Sequence, residues 1–533
     1  MHSNDLPSLL LAWLSTTSTT ITGTSGNDDL AATAESQTLR GLGGHDTLSS
    51  SFDDTTLDGG AGSDTLTTSL VIEEPDFEIP DIDLSAVQHG RTGDDILDVR
   101  IQFLEVYVGV NVSVNLFGGA GNDTINVHTD FDMFGTAPSD AAIIHYVAAG
   151  DGDDSVTAFA STDFSGSGRT AANSIFGGDG NDFLSGFARV WSNSPDLALN
   201  HIVGGNHDDI IEAEVFTDSN SSIVTGRNLV YGGSGSDSIS ASHSTDGENW
   251  ITFGETSIQG GAGNDIIVVD NLVTAESEAS DLTTVSGSLG ADTIDVSVTL
   301  SAFDLAEGTV TVLGGDHSDI IDVSTSSELA ADQSLRNIVF GGNGAESITA
   351  SASEDATQNF GTGFAENALD GGVGADVISG TVAVGSTGRS VLVGRSGHDR
   401  LSATGGEGNV FAGGFGDDSM TASTGADIFE FRNDLDEGTD RVGGWDPTSD
   451  ALNVLGPGGS ALADLGAPGY ADDFDLFIDV TDDGTDVTLT FTSGTLVVLL
   501  GAGNGTSTSV ADLVDDPATQ LLSDPTLWTG AFA

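Results

Sequence analysis

A single phrase, Gly-Gly-x-Gly-x-Asp, recurs through most of the chain and limits what it can fold into. It is complete at Gly59–Asp64, Gly118–Asp123, Gly177–Asp182, Gly232–Asp237, Gly260–Asp265, Gly371–Asp376 and Gly413–Asp418. Degenerate copies end at Asp28, Asp46, Asp95, Asp154, Asp209, Asp292, Asp319, Glu346 and Asp399. Successive anchors lie 18, 18, 31, 28, 31, 28, 27, 28, 28, 27, 27, 27, 30, 23 and 19 residues apart. A sustained internal period marks an array built from one repeated supersecondary unit. Scattered glycine in a disordered chain would not hold such spacing over some 390 residues.

Each unit has the same anatomy. An apolar alternation enters the turn, as in Asn228-Leu229-Val230-Tyr231 or Asn337-Ile338-Val339-Phe340. Another leaves it, as in Thr124-Ile125-Asn126-Val127 or Thr293-Ile294-Asp295-Val296. Period-two alternation on both sides of a glycine-rich turn predicts strand, turn, strand. Short strands bury a face only by stacking, so the coils must share one core. His207 and His317 stand where the motif has its third glycine. Histidine is among the few residues enriched at positive φ, so both are expected to be turn residues.

The spacing predicts small first coils of 18 residues and later coils of mostly 27–28. The added nine or so residues are expected to form a variable third side, as at 242–255 or 275–283. With about 4.8 Å per coil, the array is about 70 Å long. One Gly–Asp turn per coil places the turns along a single edge. A second column stands four residues before the motif: Asn173, Asn200, Asn228, Asn337, Asn367 and Asn409. Thr256, Thr283 and Ser390 share that offset, with Val310 the exception. Stacked amides hydrogen-bond from coil to coil, so this column is read as structural.

Charge narrows the partners. Twelve arginines, no lysine and 83 acidic residues give a net charge of −71. Phosphate-rich partners are repelled, which excludes nucleic acid and anionic membrane surfaces. The chain has no cysteine, so disulfides, thiol nucleophiles and Cys-ligated metals are ruled out. No run approaches the roughly 20 apolar residues of a membrane span. The apolar stretch Leu9–Leu14 lacks a basic flank, so residues 1–22 are read as a cap rather than a signal peptide.

The repeats resemble the RTX (hemolysin-type) calcium-binding repeats of bacterial secreted proteins, over roughly residues 21 to 431. Gly23–Leu30 is similar to the usual opening of such arrays. The resemblance implies an all-β, right-handed parallel β-roll or β-solenoid with Ca²⁺ held between turns of neighbouring coils. The residues support this independently. Ca²⁺ takes six to eight oxygens from carboxylates and carbonyls, and the motif offers both. The candidate ligands are Asp28, Asp46, Asp64, Asp95, Asp123, Asp154, Asp182, Asp209, Asp237, Asp265, Asp292, Asp319, Asp376, Asp399, Asp418 and Asp427. The residue before each, often Asn or Asp, is given a supporting role in the turn. Glu346 and Arg395 interrupt the motif, and weaker sites are expected there.

The array gives three segments: a cap at 1–22, a solenoid at 23–431 with an acidic insert about 70–88, and a β-rich cap at 432–533. Within the last, 475–500 reads as strands with turns at 482–485 and 493–495. Asp440-Arg441-Val442 and Trp445-Asp446 resemble the post-repeat region of serralysin-like proteins. That resemblance implies export by a type I (ABC) secretion apparatus through an uncleaved C-terminal signal, and so a secreted, extracellular or cell-surface location. No His-Glu-x-x-His or Gly-x-Ser-x-Gly motif occurs. Two function classes stay open. One is a non-catalytic calcium-binding protein with a structural, matrix, surface-layer or adhesive role, with an extracellular glycan or surface as partner. The other is a polysaccharide-acting enzyme built on the solenoid, with Trp191, Trp250 and Phe253 as aromatics of interest.

Overall fold

The computed structural model describes residues 19–503, apart from short segments at 74–81, 105–109, 137–140, 166–168, 193–195, 220–222, 246–250, 329–331, 355–362, 384–387, 407, 433–434, 447–448, 456–460, 464–476 and 492. All its regular elements are β-strands. They form two parallel ladders. Strands entering the glycine turns build one, and strands leaving them build the other. In the entry ladder, Asp196–Asn206 pairs with Arg169–Asp179 on one side and Ile223–Ser234 on the other, with equivalent repeat positions opposite each other, Asn200 between Asn173 and Asn228. In the exit ladder, Phe183–Ser192 pairs in the same way with Ser155–Ser165 and Ile210–Ser219. The chain is therefore a β-solenoid of stacked coils.

Alternation builds the core between the ladders. In Ile266–Thr274 every second residue is buried. The apolar residue two places after each motif Asp stacks as an exit column, including Leu48, Leu66, Leu97, Ile125, Val156 and Leu184. An entry column of Val147, Ile175, Ile202 and Val230 stands two residues before the following motif position. All ten of these side chains are buried.

The extra residues of the long coils do not form a third side. The exit strand grows from four residues at Thr47–Ser50 to nine at Ile266–Thr274. The entry strand grows from seven at Gln37–Gly43 to twelve at Glu278–Leu289. Only residues 275–277 separate the last two long strands. Alternation simply continues, and a longer two-sided coil buries more apolar surface without a third sheet. Strands also run to Glu73 and resume at Ile82 within the acidic insert. The rest of that insert, and Trp250, lie outside the described residues.

The far end is closed differently. Leu496–Leu499 lies parallel to Thr439–Gly443 and antiparallel to Val487–Phe491, which pairs with Phe477–Asp482. The turns between these three strands fall where the sequence placed them. The antiparallel strands occupy a ladder edge that would otherwise expose unpaired backbone groups.

Candidate metal centre

The motif aspartates form one continuous file along one edge. Each backbone N–H donates to the carboxylate of the next coil. Asp95 donates to Asp123 Oδ1 at 2.8 Å, Asp123 to Asp154 at 2.7 Å and Asp154 to Asp182 at 2.9 Å. The same bond runs without a break from Asp28 to Asp319. It resumes from Glu346 to Asp376 and continues through Asp399 and Asp418. Apart from the less buried Asp28, the predicted aspartates of the file are 0–3% exposed.

The residue before each Asp forms a second ladder that leans the opposite way. Asn122 N–H donates back to Asp94 Oδ1 at 2.9 Å, Asp153 to Asn122 at 3.0 Å and Asn181 to Asp153 at 2.8 Å. Glycine makes the turn possible for two separate reasons. The second and third motif glycines sit at positive φ, for example Gly233 at 119° and Gly235 at 134°. The first does not, and the need there is space. A Cβ at Gly204 would collide with Asp209 Oδ2 and with the carbonyl oxygen of Gly232 in the next coil. His207 and His317 do adopt positive φ, at 78° and 82°, and Arg395 does so at 71°.

One oxygen per turn is left over. Oδ2 has no hydrogen-bond partner and is fully buried at Asp46, Asp64, Asp95, Asp123, Asp154, Asp182, Asp209, Asp237, Asp265, Asp292, Asp319, Asp376, Asp399 and Asp418. Where the first motif residue is glycine, the orphan lies beside the gap it leaves, and at most of these gaps a carbonyl of the next coil is close as well. Ala149 stands at that first-glycine position before Asp154, so its Cβ takes up the gap. Burial pushes the carboxyls up, to about 7 at Asp95, Asp154, Asp209 and Asp399 and to about 6 at Asp123, Asp182, Asp265 and Asp319. Backbone N–H donors oppose the shift, and carboxylates above and below add to it at Asp95, Asp154 and Asp209. A hard cation at the orphan oxygens would hold these groups ionised. The donor set fits Ca²⁺: one carboxylate oxygen with carbonyls from stacked turns. Among the described residues no three His, Cys, Asp or Glu side chains gather into a metal set.

Three positions depart from the file. Asp28 opens it, and its Oδ2 accepts from Thr24 Oγ1 at 2.9 Å. Glu346 breaks it: the hydrogen-bond run stops at Asp319, and both Glu346 carboxylate oxygens are buried without partners. Its pKa is raised by burial and by Asp376. Asp427 lies elsewhere. It follows Asp418 by nine residues, half of a short coil, and so falls on the opposite side. Its Oδ1 accepts from Asn409 Nδ2 at 2.8 Å and its Oδ2 from Ser423 N–H at 2.7 Å. Asp440 takes the next place in the file instead, accepting from Asp418 N–H at 3.0 Å with its Oδ2 orphaned. Its pKa rises to about 8, mainly by burial. The sequence signal was Gly438-Thr439-Asp440, the second half of the motif alone.

The amide column exists as well. Asn173 Nδ2 donates to Asn200 Oδ1 at 3.0 Å, and Asn200 to Asn228 at 3.1 Å. Asn337 donates to Asn367 at 2.8 Å. Each second N–H crosses the core to an exit-strand carbonyl, Phe187, Glu214 and Ser351 among them. His145 heads the first run, with Nδ1 at 2.9 Å from Asn173 Oδ1.

A solenoid with a file of turn carboxylates facing stacked carbonyls defines a class of cation-binding repeat protein. The family model of the RTX calcium-binding nonapeptide repeat (four copies) matches residues 22–57, 32–66, 115–133, 167–188, 224–246, 252–271, 381–408 and 404–436. Every matched stretch spans at least one of the glycine turns. These stretches of the chain are RTX-type calcium-binding repeats. A search of the curated proteins finds no match. Among solved structures, the extracellular lipase LipA from Serratia marcescens is 18% identical, with a TM-score of 0.19. That alignment covers 49% of this chain and 39% of the lipase.

Proposed function

We propose that this chain is an exported, non-catalytic protein whose solenoid folds on calcium outside the cell and then serves as a structural or adhesive element. Calcium binding by its repeats is the family property. The finer reading rests on one observation: the file of buried, orphaned Oδ2 atoms from Asp46 to Asp418, all but that of Asp154 beside a first-glycine gap. The residues that would hold the ions are Asp46 through Asp418 of the file, with Asp440 as its extension. Bound calcium supplies positive charge to a file of buried carboxylates, several of which burial pushes above the ordinary Asp range.

The calcium linkage follows from mass action. An ion that binds the coil stack better than the unfolded chain stabilises the stack. Low calcium inside a cell leaves the chain open for passage through a type I ABC apparatus, and millimolar calcium outside closes it. This sequence of events requires affinities in the weak extracellular range, about 10⁻⁴ to 10⁻³ M. Far-UV circular dichroism on calcium-stripped protein, followed by calcium titration, tests it. Strand signal is expected to appear cooperatively in that range. An unchanged spectrum and melting temperature, or nanomolar affinity, would defeat the reading.

The structural role draws support from the outer faces. Their aromatic rings stack on one another from coil to coil, as with His128, Phe159 and Phe187 at centroid separations of 4.4 and 4.8 Å. Rings that cover each other reinforce the stack.

A further inference from the structure

The core of the solenoid is largely apolar; besides the amide column it buries Gln88 against Thr68, His145 against Thr129 and Arg169 beside Asp196, and a larger polar cluster sits where the amide column lapses. Three successive positions hold Thr256, Thr283 and Val310 in place of Asn. There the exit ladder contributes Asn271, which is fully buried. Its Nδ2 donates to Thr256 Oγ1 at 3.1 Å, Thr283 Oγ1 at 3.0 Å and Asp281 Oδ2 at 3.1 Å. Its Oδ1 accepts from His243 N–H at 3.0 Å. Asp281 is buried too, and its Oδ1 accepts from Thr283 Oγ1 at 2.6 Å.

The His243 ring completes the group. Its Nε2 lies 3.2 Å from Thr217 Oγ1, and its Nδ1 has no partner among the described residues. Two glycines make room for it. A Cβ at Gly226 would strike the imidazole, and one at Gly254 would strike both His243 Nδ1 and Asp281 Oδ2. The cluster therefore joins three consecutive coils through the Thr217–His243, His243–Asn271 and Asn271–Thr256 contacts, while Asp281 and Thr283 bond to Asn271 within its own coil.

We propose that this cluster is a register lock for the solenoid. The other columns cannot fix register. Around it the coils step by 27 or 28 residues, and the Asp file, the aliphatic columns and much of the amide column repeat identically. Skipping or borrowing a whole coil would again place Asp on Asp and Ile on Ile. Among the described residues the combination of buried imidazole, amide and carboxyl is not repeated, although His145 and Thr129 form a smaller buried pair. Out of register, the His243 imidazole loses Thr217 and the Asn271 amide loses Thr256 and the His243 N–H, which leaves buried polar groups unpaired at a cost above what their pairing contributes. Buried polar groups elsewhere fix alignment in this way at some cost in stability.

The test combines H243L, N271V and D281V in one chain, folded in calcium from denaturant beside the wild type. Its expected behaviour is a calcium-folded state that melts at or above the wild-type temperature. Its yield of monomer by size-exclusion chromatography is expected to drop several-fold, with the loss appearing as oligomers. Monomer yield equal to wild type overturns the proposal. Two deletions guard against a variant that simply misfolds. Removing 266–292 or 293–319 takes out one 27-residue coil and one file Asp in each case. The first breaks the cluster and the second leaves it whole. The lock predicts monomer from the second and oligomers from the first, and equal behaviour of the two overturns it.

Discussion

At the first motif glycine, side-chain volume and charge compete for the same space. Gly204→Ala would drive a methyl group into Asp209 Oδ2 and the Gly232 carbonyl oxygen. Overpacking of this kind costs about 1–3 kcal/mol. We expect a lower thermal midpoint in calcium and a weaker calcium response, read by melting and titration. Glu346 offers the converse case. Its extra methylene coincides with the break in the file, leaving the run from Asp319 unfinished. Glu346→Asp is expected to restore the bond and add about 1 kcal/mol. A urea midpoint that moves up in calcium would show it, and an unmoved or lower midpoint would refute it. These positions also show why some of the site escaped the sequence. Asp440 keeps only half of the motif. Asp427 keeps its tail, but half a coil out of phase, and linear spacing alone does not reveal the phase of a coil.

Among the elements, the strands carry what the sequence could announce and what it could not. Alternation around the turns was legible, because Asn228-Leu229-Val230-Tyr231 and its counterparts repeat next to the glycines. The lengthening of both strands was not. Away from the turn, Ser and Thr sit on the buried face beside Ala and Val, and the hydrophobic signal fades there. Thr217, Thr245 and Thr325 are buried examples. Arginine is sparse, and Arg336 and Arg389 flank Glu366 from the coils on either side, at 3.2 and 3.0 Å. The amide column gives a direct prediction. Asn200→Val removes a bond to Asn228 and one to the Glu214 carbonyl, and strips Asn173 of an acceptor. Leaving such groups buried and unpaired costs about 1–3 kcal/mol each. Denaturant unfolding in calcium should show a loss in that range, and a neutral result would mean water replaces the amide.

For the whole molecule, the buried carboxyls link folding to pH in a direction that calcium reverses. In the folded state without cations, the file pKa values stand at about 6 to 8 in nine of its members. An unfolded Asp lies near 3.9. Between those limits the folded chain holds more protons than the unfolded one, so its stability falls as pH rises. That contribution is complete below about 4 and is lost as pH climbs through about 6 to 8. Calcium changes the sign, because the ionised carboxylate is then the bound form and protons compete with the metal. Protein freed of calcium by dialysis is therefore expected to show more strand signal and a higher melting temperature at pH 4.5 than at pH 7.5. In millimolar calcium the order should invert, with the gain from the metal largest at pH 7.5. If calcium-free protein instead became more stable with rising pH, the file would be solvated rather than buried. The −71 charge would then be a surface property with no hold on when the chain folds.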